Sequence, residues 1–118
     1  MSNQISLQQA VDMTTLYRAN KLAILAPTAP LDVLCISETF PKVAVTNLMS
    51  KPGAEFCRIY YGMDTQLKIH AILVAADKDG NDILPPANAP QSSDDDSILE
   101  EASRCPPLCP TQPSPLNP

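Results

Sequence analysis

The chain has 118 residues and a formal net charge of −5. This length allows one domain at most, and the acidic balance argues against nucleic acid as a partner, because phosphate backbones repel it. No run of 18 apolar residues occurs, which predicts no membrane partner, and the first residues lack the basic start and apolar stretch of a secretory signal. We therefore expect a cytoplasmic protein whose four cysteines stay thiols.

The composition changes between Leu84 and Pro85. All three glycines precede this point, and nine of the thirteen prolines follow it. Residues 1–84 are predicted to be a folded body. Residues 85–118 are predicted to be an acidic, Pro-rich tail that is extended or disordered unless it docks, because it has few large aliphatic side chains. On this interpretation the body folds without the tail.

Two helices are predicted in the first half of the chain. Ser6 and Gln9 form a capping-box pattern, and apolar residues follow at helical spacing, which indicates a helix over 6–20. A second helix is predicted with Thr39 as its N-cap, and it should end before Pro52-Gly53. Between the two helices, the composition of residues 31–37 favours a strand.

Residues 55–84 carry the clearest strand pattern. A β-branched and aromatic run covers 56–61, a longer run covers 67–76, and 82–84 is a short third strand. Asp79-Gly80 suits the turn before the third strand, since Gly80 can adopt positive φ. The sequence thus predicts an α+β fold, a small antiparallel β-meander with two helices packed on it.

Several segments carry a resemblance to other proteins. They are Pro52-Gly53, the RIYYGMD run from Arg58 to Asp64, Leu67 to His70, Gly80 to Leu84, and a tail with Cys105-Pro-Pro and a Ser114 to Asn117 ending. In these segments the chain resembles a set of small bacterial proteins with an RIYYGMD hairpin and a Cys-Pro-Pro-rich C-terminal tail. The resemblance covers the C-terminal two-thirds and implies no activity, ligand or fold.

No catalytic or cofactor motif is recognisable. His70 is the only histidine, and the sequence places no nucleophile or acid beside it. The turn from Asp77 opens like a calcium loop, but Asp82 stands where glycine is needed and Asn88 where the bidentate glutamate is needed. We therefore expect a non-enzymatic protein with no cofactor, no catalytic residue and no small-molecule ligand.

Cys105 and Cys109 flank a proline pair in the tail. In extended polyproline geometry their Cα atoms would be ~12 Å apart, whereas a disulfide needs less than ~7 Å. Two thiolates are also too few for a closed zinc site, so a metal would be shared with a partner or a second copy. Exposed thiols in a linear motif, a cross-chain disulfide or metal, and redox sensing all stay open.

The tail also contains a short amphipathic segment. Ser97 to Glu100 is a second capping-box pattern that follows three aspartates, and Ile98 and Leu99 form an apolar stripe. A helix this short is marginal alone, so it should dock or stay disordered. Ile98, Leu99, Cys105 and Cys109 are therefore the predicted partner-binding residues.

By elimination, the sequence predicts a small interaction or assembly module. The body would self-associate or bind a protein partner, and the tail would be recognised as a linear peptide. The alternative is a thiol-based metal-binding or redox protein that uses Cys105 and Cys109.

Overall fold

The computed structural model describes residues 3–85, 98–100 and 102–118. In chain order its elements are α1 (Leu7–Asn20), β1 (Ser37–Thr39), α2 (Lys42–Met49), β2 (Phe56–Met63), β3 (Ile69–Ala76), β4 (Asp82–Ile83), β5 (Ile98–Leu99) and β6 (Ser103–Cys105). The helices α1 and α2 and the antiparallel strands confirm the predicted α+β class. The helix that packs on the meander is α2, whereas α1 belongs to another compact unit, so the expectation that both helices pack on the sheet is wrong for α1.

The chain divides into two compact units. The terminal unit comprises Met1–Ser37 and Arg104–Pro118, and the sheet unit comprises Glu38–Ser103. The predicted boundary at 84/85 is therefore not where the structure divides, because residues 98–103 belong to one unit and 104–118 to the other. The Pro-rich composition shows that the tail cannot build its own core. It does not prevent single apolar side chains, such as Leu99 and Cys105, from being buried in the units they join.

The terminal unit begins with α1, and its predicted capping box is present. The Ser6 hydroxyl accepts from the Gln9 backbone N–H at 3.0 Å, and the Gln9 side chain accepts from the Ser6 N–H at 2.8 Å. These two bonds satisfy donors that a helix start would otherwise leave unpaired. None of the helix residues is fully buried, so local capping contributes much of what holds its first turn.

The strand predicted over 31–37 does not form, and the strand in this region is β1. Side chains take the backbone acceptors that a ladder would use. Arg104 donates to the carbonyls of Asp32 and Val33, both at 3.2 Å. Lys21 donates to the carbonyl of Leu34 at 3.3 Å, and the Tyr17 hydroxyl donates to that of Cys35. The segment is thus held by side chains in a non-repetitive path.

The sheet unit is built around β3. Strand β2 pairs with it antiparallel over eight residues, from Phe56 opposite Ala76 to Met63 opposite Ile69. Strand β4 pairs antiparallel at Ala75 and Ala76, and β5 at Leu73 and Val74. The order β2-β3-β4 is the predicted meander, and Gly80 in its second turn has φ of 85°, as predicted.

The main core cluster of the sheet unit lies on one face of β3, and Val74 and Ala76 are buried on the other face near the end of the strand. Leu73 and Ala75 point to the face of the main cluster, where they pack with Leu48 of α2 and Leu99 of β5. Leu48 is fully buried. The N-cap of α2 is Pro41, with no side-chain hydrogen bond, rather than the predicted Thr39. Packing through Leu48 therefore stabilises this helix where capping does not.

The helix predicted around Ile98 and Leu99 is replaced by β5. A ladder with Leu73 and Val74 satisfies the backbone of these residues and buries Leu99 in the core. Tertiary pairing therefore outweighs the local capping signal. Ser97 and the aspartates at 94–96, which carried that signal, lie outside the described residues.

Candidate functional site

Strand β2 is an edge strand. It pairs with β3 along its whole length, and within residues 3–85, 98–100 and 102–118 no strand pairs with its other side. An edge of eight residues presents a row of unpaired backbone N–H and C=O groups, which can template the addition of another strand. This edge is the candidate functional site.

The backbone groups that face outward can be assigned from the register. The Asp64 N–H donates to the Lys68 carbonyl at 3.0 Å, and in an antiparallel pair alternate residues bond to the same neighbour. The backbone N–H and C=O groups of the even-numbered residues of β2 therefore point towards β3. The outward groups belong to the odd-numbered residues Cys57, Ile59, Tyr61 and Met63.

The side chains of β2 are also exposed. The exposed fraction is 52% for Ile59 and 79% for Tyr61. The other exposed large apolar residues of the strand are Phe56, Tyr60 and Met63. Ile59, Tyr61 and Met63 lie on one face of the sheet, and Phe56 and Tyr60 lie on the other. Grouped apolar side chains on an exposed strand mark an interaction site or an aggregation hazard. The strand also contains no proline and no lysine, two of the devices that natural edges use to block pairing.

The single charge on β2 is compensated within the sheet. Arg58 forms an ion pair with Asp82 of β4, and the Tyr60 hydroxyl donates to the same carboxylate. The hydrogen bond from Tyr60, reinforced by Arg58, lowers the pKa of Asp82. The same bond raises the pKa of Tyr60. The edge therefore presents an apolar surface without an unpaired charge.

A second cluster surrounds His70, on the face of β3 opposite the core. Its Nε2 lies 2.7 Å from Asp64 Oδ2. Its Nδ1 carries no hydrogen bond but faces Glu100 Oε1 at 3.3 Å and Glu38 Oε1 at 3.7 Å. The hydrogen bond from His70, with backbone bonds from Lys68 and Gln66, lowers the pKa of Asp64 to about 2.

The geometry of this cluster favours a structural role. In the described part of the chain, the polar contacts of the ring are all carboxylates, so a nucleophile for general-base catalysis is not in place. Asp64 lies at Nε2, whereas Glu38 and Glu100 lie at Nδ1, so the three carboxylates do not surround one point. Among the described residues no group of three or more His, Cys, Asp or Glu is arranged to hold a metal ion.

A shallow groove of about 520 Å³ runs along α2. Its described lining is one side of that helix, namely Lys42, Val45, Thr46, Met49 and Ser50. Ligand sites are usually enclosed by several elements that aim polar groups at one point. This groove lacks that convergence among the described residues, so it is a weaker candidate than the β2 edge.

Cys105 and Cys109 are joined in a disulfide, with Cα atoms 4.6 Å apart. The extended path expected from the prolines does not form, because the chain turns here and the Leu108 N–H donates to the Arg104 carbonyl at 2.8 Å. The Cys105–Pro106 and Pro106–Pro107 bonds are cis. In this state neither sulfur is a thiolate, so the shared metal site predicted at these residues is not supported.

The predicted partner-binding residues belong to different units and differ in exposure. Leu99 is 8% exposed and Cys105 is fully buried, whereas Ile98 is 48% exposed and Cys109 is exposed. Leu99 lies in the sheet unit and Cys105 in the terminal unit. The recognition hypothesis is therefore corrected for Leu99 and Cys105, because both side chains are used for internal packing.

The sequence predicts the β2 strand but does not show that this strand lies at the edge of the sheet. The β-branched and aromatic pattern of residues 56–61 is the same for an edge strand and a central strand. The absence of proline and lysine was the available signal, and it gains meaning only once the strand order is known. Glu38 and Glu100 were missed around His70 because they are distant from it in sequence.

Comparisons of the chain with models of known protein families, with curated proteins and with solved structures find no match. The resemblance to small bacterial proteins therefore stays a prediction. Among the described residues, no helix is long and apolar enough to cross a membrane.

Proposed function

We propose that this protein is a non-enzymatic interaction or assembly module that associates by adding a strand to the β2 edge. The observation that carries the proposal is an eight-residue strand whose outward-facing residues are exposed and whose outer side pairs with no other strand among the described residues. Main-chain hydrogen bonds to such an edge supply affinity, and the side chains beside it supply selectivity.

The position of the edge in the fold supports this proposal. Strand β2 is anchored to β3 over its whole length, and β3 carries the core residues Leu73 and Ala75. The edge is therefore presented by a supported strand rather than by a loop. A preformed binding strand avoids the ordering cost that a flexible segment would incur on association.

Hydrogen exchange tests whether the edge is open and where association occurs. In dilute protein, the amides of Ile59 and Tyr61 should exchange quickly, whereas those of Arg58 and Tyr60, bonded to β3, should exchange slowly. Association should slow the exchange of the Ile59 and Tyr61 amides. Slow exchange of these two amides in the dilute monomer would contradict the proposal.

A matched pair of variants tests the same edge by substitution. Ile59→Lys places a charge at its centre and should weaken association about tenfold or more, because a buried charge is costly. Ile24→Lys makes the same change at an exposed position in the terminal unit and should leave association unchanged. Equal effects of the two variants would place the interface elsewhere.

The disulfide keeps the thiol-based alternative as a second candidate. A Cys105–Cys109 pair that cycles between dithiol and disulfide would make residues 104–118 respond to redox conditions. A cytoplasmic location stays a prediction, and in the cytosol a structural disulfide is uncommon. Thiol labelling in intact cells, with and without oxidant, would detect a change confined to Cys105 and Cys109 if this candidate is right.

A further inference from the structure

We infer that the strand which covers the β2 edge is β2 of a second copy, paired antiparallel about a two-fold axis at Tyr60. This inference rests on the proposed function, because it names the partner of the same edge. Homo-oligomers most commonly associate by such self-complementary two-fold contacts.

The register follows from which backbone groups face outward. Two antiparallel copies form paired hydrogen bonds only where an outward residue of one lies opposite an outward residue of the other. With the axis at Tyr60, Cys57 lies opposite Met63 and Ile59 lies opposite Tyr61. All four outward residues are then paired. If the axis lay at Ile59, Met63 would have no outward-facing β2 residue opposite it. If the axis lay at Tyr61, Cys57 would have none.

The side chains are compatible with this register. Ile59 opposite Tyr61 is a β-branched and aromatic pair, a combination that stabilises antiparallel sheets. On the other face of the sheet, Arg58 of one copy is paired with Gly62 of the second copy, so the two arginines are not adjacent. Each Arg58 keeps its own Asp82 partner.

The charge balance of the β2 edge favours a second copy as the partner rather than an acidic or basic strand of another protein. Because Arg58 is compensated by Asp82, the β2 edge carries no net field that would select a charged partner. An apolar, charge-balanced strand is complementary to itself, and a second copy is always present at the concentration of the first. The small core of the sheet unit, with two alanines fully buried in β3, also leaves stability to be gained from association.

Sedimentation and disulfide trapping of the full chain test the inference. The background is Cys35→Ser, which leaves Cys57 as the free thiol beside the intact Cys105–Cys109 bridge. Adding Met63→Cys should give a covalent dimer on mild oxidation through Cys57 of one copy and the new cysteine of the other. Within one strand these two positions are about 20 Å apart, too far to bridge.

Matched variants distinguish the registers. If the axis lay at Ile59, the cysteine of Tyr61→Cys would form the disulfide with Cys57 of the second copy. If the axis lay at Tyr61, the cysteine of Thr65→Cys would do so. We expect Met63→Cys to be trapped most efficiently, and Ile59→Lys to abolish trapping. Preferential trapping of Tyr61→Cys or Thr65→Cys would overturn the register.

The unmodified chain gives a readout that does not depend on any variant folding. A concentration-dependent dimer whose formation slows exchange at Ile59 and Tyr61 supports the inference. A chain that stays monomeric at every concentration up to about 1 mM overturns it. If the amides of that monomer still exchange quickly and become protected by another protein, the proposed function survives. If the Ile59 and Tyr61 amides already exchange slowly in that monomer, both the proposed function and this inference fail.

Discussion

At the scale of single residues, Leu67 has an unusual backbone conformation. Its φ is 68°, a left-handed region in which the β-carbon of an L-residue is crowded. It ends the turn in which Asp64 Oδ1 accepts from the Gln66 and Lys68 N–H groups. The sequence pattern placed Leu67 in a strand, whereas β3 begins at Ile69.

Replacing Leu67 should therefore stabilise the protein. Leu67→Asn should raise the free energy of unfolding by about 0.5–1 kcal/mol, because asparagine tolerates positive φ better and the leucine side chain is half exposed. Urea denaturation measures the change. Leu67→Ala keeps the crowded β-carbon and is the control. Equal effects of Asn and Ala would show that backbone conformation is not the cause.

Asp64 should make stability depend on pH in an acidic window. Its pKa is lowered from 3.8 to about 2 in the folded protein, chiefly by the hydrogen bond from His70. Because the folded pKa lies below the unfolded one, the contribution is fully present above pH 3.8 and is lost as pH falls towards 2. Urea midpoints across this range should show a decline that Asp64→Asn reduces.

The role of His70 in this effect can be tested separately. His70→Gln removes the ring that donates to Asp64 but leaves the backbone bonds from Gln66 and Lys68. It should therefore weaken the acid-dependent decline without abolishing it. An unchanged decline would assign the effect to the backbone bonds alone.

At the scale of elements, the two residues of β5 should differ sharply in their effect on stability. Leu99 packs against Leu48 and Leu73 in the core, whereas Ile98 is on the opposite, more exposed face. Leu99→Ala should cost about 2–4 kcal/mol, because it leaves a cavity, and Ile98→Ala should cost less than about 1 kcal/mol. Chemical denaturation of the two variants measures this difference. Similar small costs would show that β5 is not part of the core.

Strand β2 illustrates why element type and element role are different questions. Its β-branched and aromatic residues predict a strand wherever it is placed in a sheet. Its role as an edge depends on β4 and β5, which both pair with the other side of β3. The pairing of β5 joins residues about 25 positions apart in sequence, which no local pattern encodes.

At the scale of the whole molecule, the C-terminal segment is part of both folded units. A chain that ends at Leu84 lacks Leu99 from the core of the sheet unit and Cys105, which is fully buried in the terminal unit. We therefore expect this truncation to abolish cooperative thermal unfolding or to lower its midpoint strongly. A truncated chain that melts near the full-length midpoint would restore the 84/85 boundary.

Reduction of the disulfide should act on the terminal unit. A bridge that closes a five-residue loop contributes about 2 kcal/mol on the chain-entropy estimate. Cys105 is also held by its carbonyl, which accepts from the Ile36 N–H at 2.6 Å. A reductant should therefore lower the denaturation midpoint of wild type. The variant with Cys105→Ser and Cys109→Ser is the control, and an equal shift in it would assign the effect elsewhere.

The sequence by itself determined the features that depend on near neighbours. The capping box of α1 joins residues three apart, the positive φ of Gly80 follows from its turn, and the strands of the β2–β3 hairpin follow from local composition. Together these were sufficient for the α+β class. Each depends on interactions within a few residues, where propensity and pattern carry the information.

Only the tertiary structure decided how the C-terminal segment is used. From near neighbours alone, Ile98 and Leu99 could lie in a short capped helix, and Cys105 and Cys109 could lie far apart. Burial of Leu99 against Leu48, and the turn that brings the two cysteines together, decide otherwise. The position of β2 at the edge of the described sheet was likewise decided by the tertiary structure, because strand order depends on partners that are distant in sequence.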